Sequence, residues 1–200
     1  MNIVYTCTYE EPEFNIKEIL RYSGTKETTD EIDALLNECI AETKNKLSYK
    51  VCYSNFPIKF TDEYIDLGFA KTTSKNLRTN LENCKSIILF AATVGIELDR
   101  LISKYNITSP SKAIMLQALG SERVESLCNA FNKDKDIADK MSLENKTLAP
   151  RFSPGYGDLP LELQTDIFKT LNCTSKIGIN LNSNLFMTPS KSVTAIIGIR

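Results

Sequence analysis

The sequence predicts an α+β fold, a mainly antiparallel sheet with several packed helices, organised as one domain over residues 1–200. Three observations carry that expectation. Helical and extended patterns are mixed along the chain without regular strand–helix–strand alternation. Two extended runs, 177–181 and 192–199, lie close together near the C-terminal end, joined through Pro189-Ser-Lys, a connection that can act as a hairpin. Neither GxGxxG nor GxxxxGK[ST] occurs, so neither a dinucleotide-binding fold nor a phosphate-binding loop is supported.

The elements follow in order. Thr28-Thr-Asp-Glu31 has capping-box spacing. Ile32, Leu35, Leu36, Cys39, Ile40 and Leu47 then recur at helical intervals, which predicts an amphipathic helix over 29–47. Residues 49–60 are rich in aromatic and β-branched side chains and read as a strand, with Pro57 favouring an edge or a bend. Residues 62–68 continue as a second short strand. Ser74 is placed to cap a short helix carrying Leu77, Leu81 and Cys84. Ser86 to Thr93 is a continuous apolar run and reads as a buried strand. Gly95 ends it, and Ile96, Leu98, Leu101 and Ile102 belong to the next helix. Ser109-Pro110 is an N-cap followed by proline at the first helical position. The helix it opens is expected to run to about Phe131, with Gly120 loosening it midway. Residues 132–148 are polar and charged and read as an exposed helix tail and a loop. Pro160 is expected to open a helix through Leu163, Ile167, Phe168 and Leu171, and the two C-terminal strands follow.

Bulk properties narrow the function. The 200-residue chain is 42% hydrophobic, enough for an ordinary core. Its 24 basic and 25 acidic residues leave a net charge of −1. That balance gives no electrostatic case for nucleic acid or an anionic membrane surface. No apolar run approaches the length of a membrane span, and no export signal is seen at the start of the sequence. A cytoplasmic protein is therefore expected. The six cysteines at 7, 39, 52, 84, 128 and 173 contain no CxxC pair. They read as buried, reduced thiols. Histidine is absent. This removes Ser-His-Asp and Cys-His catalysis and histidine-ligated metals. No catalytic residue and no metal ligand is assigned, so any chemistry must come from a bound cofactor, from carboxylates or from a partner.

The most informative stretch is Arg151-Phe-Ser-Pro-Gly-Tyr-Gly-Asp-Leu-Pro160. Loops this rigid and this rich in functional groups often bind ligands. Arginine can fork onto a carboxylate, an aromatic face can meet a cation, and glycine allows close approach to the backbone. Together these suit a small zwitterion with an extra positive charge. The same residues also fit a plain rigid turn whose arginine pairs with a structural carboxylate.

This loop resembles the RPAPGYPxxP signature of the activation domain of vitamin B12-dependent methionine synthase. Ile177-Gly-Ile-Asn-Leu-Asn-Ser-Asn-Leu-Phe-Met-Thr-Pro189, followed by Ser192-Val-Thr-Ala195, is similar to that family's GMxLTESxAMxPxxSVSG segment. Ala113-Ile-Met-Leu-Gln-Ala-Leu119 with Val124-Glu-Ser-Leu127 is similar to its AIMxxALADRxAEAF helix. The resemblance covers residues 85–200 as a recognisable core and leaves 1–84 as a divergent N-terminal part. Cys84 and Phe90-Ala-Ala-Thr-Val-Gly95 look closer to short, free-standing relatives.

The resemblance implies a separate activation subunit, whose partner is a cobalamin-binding methionine synthase core. In that family, oxidised cobalamin is restored by an electron from a flavodoxin-type or other reductant and a methyl group from S-adenosylmethionine. The cobalamin-binding domains use a DxHxxG loop. This chain has none, so the cobalamin is expected on the partner. The resemblance further implies roles for individual residues. Arg151 would fork onto the S-adenosylmethionine carboxylate, and Glu125 would pair with its ammonium, although Glu125 also reads as an exposed helix carboxylate. Ser153 would add a hydrogen bond and Pro154 would fix the loop. Gly155 would give backbone approach, and Tyr156 would offer its ring to adenine or sulfonium. Met187 and Pro189 would shape the wall. The family's TES is here Asn182-Ser183-Asn184. Its acidic contact from an N-terminal segment and its tyrosines past the last strand have no placed equivalents, and the partner is expected to supply what is missing. Two other roles stay open: a scaffold that docks on a corrinoid protein without binding ligand, and a reactivator of a different corrinoid methyltransferase.

Overall fold

The computed structural model describes residues 2–134, 137 and 146–200. Four strands form the central sheet: β1 (Tyr5–Tyr9), β2 (Tyr49–Pro57), β6 (Ser86–Thr93) and β9 (Ser192–Ile199). Their order is β1-β2-β6-β9, and every pairing is antiparallel. The α+β class with a mainly antiparallel sheet is therefore the observed architecture.

The continuous apolar character of β6 has a direct cause. Successive side chains of a strand point to opposite faces, and both faces of this sheet are covered. Ile88, Phe90 and Ala92 join one core with Val51, Tyr53, Ala195 and Ile197. Ile87, Leu89 and Ala91 join a second core with Cys52, Phe56 and Ile196. The first core is closed by α1 (Ile16–Ser23), α2 (Asp30–Thr43), α4 (Glu97–Thr108) and α5 (Pro110–Lys133). The second is closed by α3 (Lys75–Asn80), α6 (Leu163–Leu171) and α7 (Cys173–Ile177). A small sheet, β3 (Lys59–Phe60), β4 (Ile65–Asp66) and β5 (Lys71–Thr72), packs on that side as well.

Several boundaries differ from expectation. Thr29, not Thr28, caps α2 by accepting from the Ile32 amide at 3.4 Å. That helix stops at Thr43, because Asn45 takes a left-handed φ of 60° and turns the chain toward β2. Pro57 ends the interior strand β2, beyond the last residue paired with β1, so its missing amide costs no bond to that neighbour. Gly120 does not loosen α5, which is continuous there. A Cβ at Gly120 would stand 2.3 Å from Leu98 Cδ2, so the glycine lets α4 and α5 approach closely. The helix expected from Pro160 begins at Leu163. The expected strand from Ile177 starts later than predicted: Ile177 is the last residue of α7, and Gly178 closes that helix at φ 76°. Only Asn180–Leu181 (β7) is extended, and it pairs with Met187–Thr188 (β8) rather than with β9. The hairpin turns at Asn182, whose side chain accepts from the Asn184 and Phe186 amides, both at 2.9 Å. Most of the expected tail and loop over 132–148 lies outside the described residues. Strand β1 and helix α1 had no sequence assignment. Each is short, and both depend on tertiary partners.

One such partner is Arg123 on α5. Its side chain is fully buried with Glu122 beside it. Nε donates to Glu122 at 2.6 Å, and the two Nη groups donate to the carbonyls of Pro12 and Glu13 at 2.5 and 2.8 Å. The Phe14 ring stacks on the guanidinium at 3.7 Å. Glu122 also accepts from the Asn15 amide at 3.2 Å and the Ser126 hydroxyl at 2.5 Å. This network pins the segment between β1 and α1 onto α5. Arg123→Met leaves a buried carboxylate without its counter-charge. It is expected to reduce the unfolding free energy by roughly 3–5 kcal/mol in urea denaturation, and an unchanged midpoint contradicts the assignment.

All the cysteines but Cys7 are buried, and Cys7 is partly exposed. Burial pushes the Cys39 thiol up to about 11 and the Cys128 thiol up to about 12. Near neutral pH these groups stay protonated and unreactive. A thiol reagent is expected to modify Cys7 alone quickly in the native protein and all six cysteines in denaturant. Rapid native labelling of Cys39 or Cys128 contradicts the packing.

Candidate functional site

Residues 147–152 run antiparallel along the free edge of β9. The Ala149 amide donates to the Gly198 carbonyl at 2.8 Å, and Phe152 and Ile196 exchange both backbone bonds at 2.9 Å. Strand alternation then sets the side chains. Phe152 packs against the second core, on the α6 side. Arg151 points to the other face, where α5 lies.

Three α5 side chains meet it there. Nη2 of Arg151 donates to Glu125 at 2.7 Å, and Nη1 donates to Asn129 at 3.0 Å. With its amide oxygen turned toward Arg151, Asn132 accepts from Nη1 at 3.1 Å and donates to the Cys128 carbonyl at 3.3 Å. Glu125, Asn129 and Asn132 are spaced i, i+4 and i+7, so they share one helix face. The Arg151 side chain is 21% exposed and that of Glu125 45%. An ion pair this open contributes only about 0–1 kcal/mol and is readily exchanged.

The loop beyond Arg151 is fixed at its far end. The Gly155 amide donates to the Leu159 carbonyl at 2.9 Å, and that of Leu159 to Tyr156 at 3.0 Å. Gly155 and Gly157 take φ of 87° and 55°, a region closed to most side chains. A Cβ at Gly157 would also stand 2.1 Å from the Asn76 amide nitrogen. Asp158 binds the start of α3. It accepts from the Ser74 hydroxyl and from the amides of Lys75 and Asn76 at 2.7 and 3.1 Å. These donations, the Ser74 hydroxyl first, hold its carboxyl below the usual carboxylate range. Asp158 was not singled out in the sequence, although the helix cap it reaches at Ser74 was.

The result is a cleft of about 500 Å³, lined by Glu125, Asn132, Pro150, Arg151, Ser153, Tyr156, Val193 and Ala195. Four of the six predicted site residues thus converge: Glu125, Arg151, Ser153 and Tyr156. Two do not line it. Pro154 is buried behind the turn, and Gly155 sits at its apex against Leu161. Met187 and Pro189 do not line it either; Met187 packs against the second core. Asn129 and Asn132 were not singled out in the sequence, although their helical spacing from Glu125 is a readable signal. The expected fork of Arg151 onto an external carboxylate is, in this structure, a contact with Glu125. The plain-turn reading also anticipated an internal carboxylate. Chemically, the cleft offers adjacent opposite charges, a hydroxyl, a small apolar floor and an aromatic ring at the rim. Its size is that of a small-molecule site. Among the described residues, no group of three or more His, Cys, Asp or Glu is arranged to hold a metal ion. No described helix is long and apolar enough to cross a membrane.

No curated protein sequence matches the chain. Among solved structures, the crystal structure of the MetH reactivation domain bound to AdoHcy shares the fold, with a TM-score of 0.68 at 15% identity. The alignment covers 98% of this chain and 78% of that one. The family described as vitamin B12 dependent methionine synthase, activation domain, matches residues 75–199, more than half of the 200 residues. The chain therefore belongs to the activation-domain family of vitamin B12-dependent methionine synthase.

Proposed function

We propose that the chain is a free-standing activation subunit that binds S-adenosylmethionine in the Arg151 cleft and presents its methyl group to cobalamin on a partner methionine synthase core. The observation that carries this reading is the convergence of Arg151, Glu125, Ser153 and Tyr156 on one small cleft. Family membership supports the reaction class. The related fold that binds AdoHcy, the demethylated product, supports the ligand class.

The residues fit the ligand's chemistry. An amino-acid zwitterion can exchange with the internal pair, its carboxylate on Arg151 and its ammonium on Glu125. Arg151 has five N–H donors. Its contacts with Glu125, Asn129 and Asn132 leave Nε and one Nη2 proton for such a fork. Ser153 is placed to donate or accept beside it. Tyr156, 71% exposed, can lay its ring on the adenine or the sulfonium. Pro154 and Gly155 act indirectly, by fixing the turn that carries both side chains. S-adenosylmethionine itself supplies an activated methyl on a sulfonium, so the protein's work is orientation and exclusion of water. No acid or base from this chain enters the account. The electron donor in this reading is a flavodoxin-type or other reductant.

A second reading has one observation in its favour: Arg151 already has internal partners. On that reading the chain is a scaffold on a corrinoid protein and binds no nucleoside. Isothermal titration separates the two. S-adenosylmethionine and S-adenosylhomocysteine are expected to bind competitively. Arg151→Ala is expected to weaken either by roughly 1.5–3 kcal/mol, the scale of a charge-assisted hydrogen bond. Absence of binding to the wild-type protein favours the scaffold, and an unchanged dissociation constant removes Arg151 from the site.

A further inference from the structure

We infer that Asn129 and Asn132 are positioning residues that hold the Arg151 guanidinium toward the cleft while Glu125 is exchanged for ligand. The inference rests on the proposed binding of an S-adenosyl amino acid. Arg151 has two kinds of partner on α5. Glu125 is charged and its side chain is 45% exposed, so it can swing to a ligand ammonium. Asn129 and Asn132 lie one and two turns further along the same face and take Nη1 by their amide oxygens at 3.0 and 3.1 Å. Asn132 is itself tied to the Cys128 carbonyl at 3.3 Å, and Cys128 is fully buried on α5. That bond fixes the amide to a rigid element.

The charges explain why these two are amides. A carboxylate at 129 or 132 would give Arg151 a second internal counter-ion and compete with the ligand carboxylate. An aliphatic side chain would leave Nη1 without an acceptor and free the guanidinium to rotate. A neutral acceptor orients the cation without neutralising it. Without these acceptors, Arg151 is held only by Glu125, the group that turns to the ligand ammonium.

The test is a comparison of two probes on the wild-type protein and the Asn129→Leu, Asn132→Leu double variant. Leucine keeps helix propensity, so α5 is retained. S-adenosylhomocysteine carries the amino-acid group, and adenosine lacks it. The expected result is a roughly tenfold or greater loss of affinity for S-adenosylhomocysteine, the scale of losing one charge-assisted bond, with a distinctly smaller loss for adenosine. Equal loss for both probes overturns the inference, because it reports a general structural defect. No loss for either overturns it too. If wild-type protein binds adenosine but gains nothing from the amino-acid group, Arg151 does not take a carboxylate, and the inference falls. If wild-type protein binds neither probe, the functional reading falls and takes the inference with it.

Discussion

The site depends on the backbone pairing between residues 147–152 and the outer edge of β9. An unpaired sheet edge exposes a row of amides and carbonyls. Here those groups are satisfied by a segment that is otherwise loop. The pairing fixes register, and register fixes the direction of every side chain. Phe152 is directed into one core and Arg151 toward α5. A slip of one residue would bury the guanidinium among Ile167, Leu171 and their neighbours and abolish the cleft. The direction of Arg151 is thus set by the backbone pairing around Phe152.

The far end of the loop is fixed by different means. Asp158 lies on the first amides of α3, and Leu159 is buried in the second core. Between the anchors, two glycines in left-handed conformations let the chain reverse, leaving Tyr156 at the rim. A loop held at both ends loses little further entropy when a ligand arrives. The opposite wall is equally fixed. Helix α5 is locked to the N-terminal segment through Arg123 and packs closely on α4 at Gly120. The most open contact of the cleft is one carboxylate paired with one arginine.

Sequence patterns revealed the elements that are locally determined. β6 was legible because it is buried on both faces, and α5 because Pro110 and its long periodic face are local signals. The caps at Ser74 and Thr29 needed only side-chain chemistry, with a shift of one residue at the second. Strand β1 and helix α1 were not legible, because a buried arginine a hundred residues away secures the segment between them. The β7–β8 hairpin was misassigned because a short apolar run reads equally as strand or helix end. At the site, the loop motif pointed to Arg151, Ser153 and Tyr156, and the helix segment to Glu125. Neither could reveal that Arg151 and Glu125 contact each other, since the pairing of 147–152 along β9 is what brings the loop over the helix. Asn129 and Asn132 carry only one signal in the sequence, their helical spacing from Glu125, and amides on a helix face are unremarkable until an arginine lies over them.

In the proposed function this cleft exchanges an internal ion pair for a bound zwitterionic nucleoside. A crystal structure grown with excess S-adenosylhomocysteine tests it most directly. The predicted result is a ligand carboxylate within about 3 Å of Arg151, its ammonium on Glu125, and Arg151 still resting on Asn129 and Asn132. A ligand-free cleft with the Arg151–Glu125 pair intact, or nucleoside bound elsewhere on the molecule, rules that exchange out.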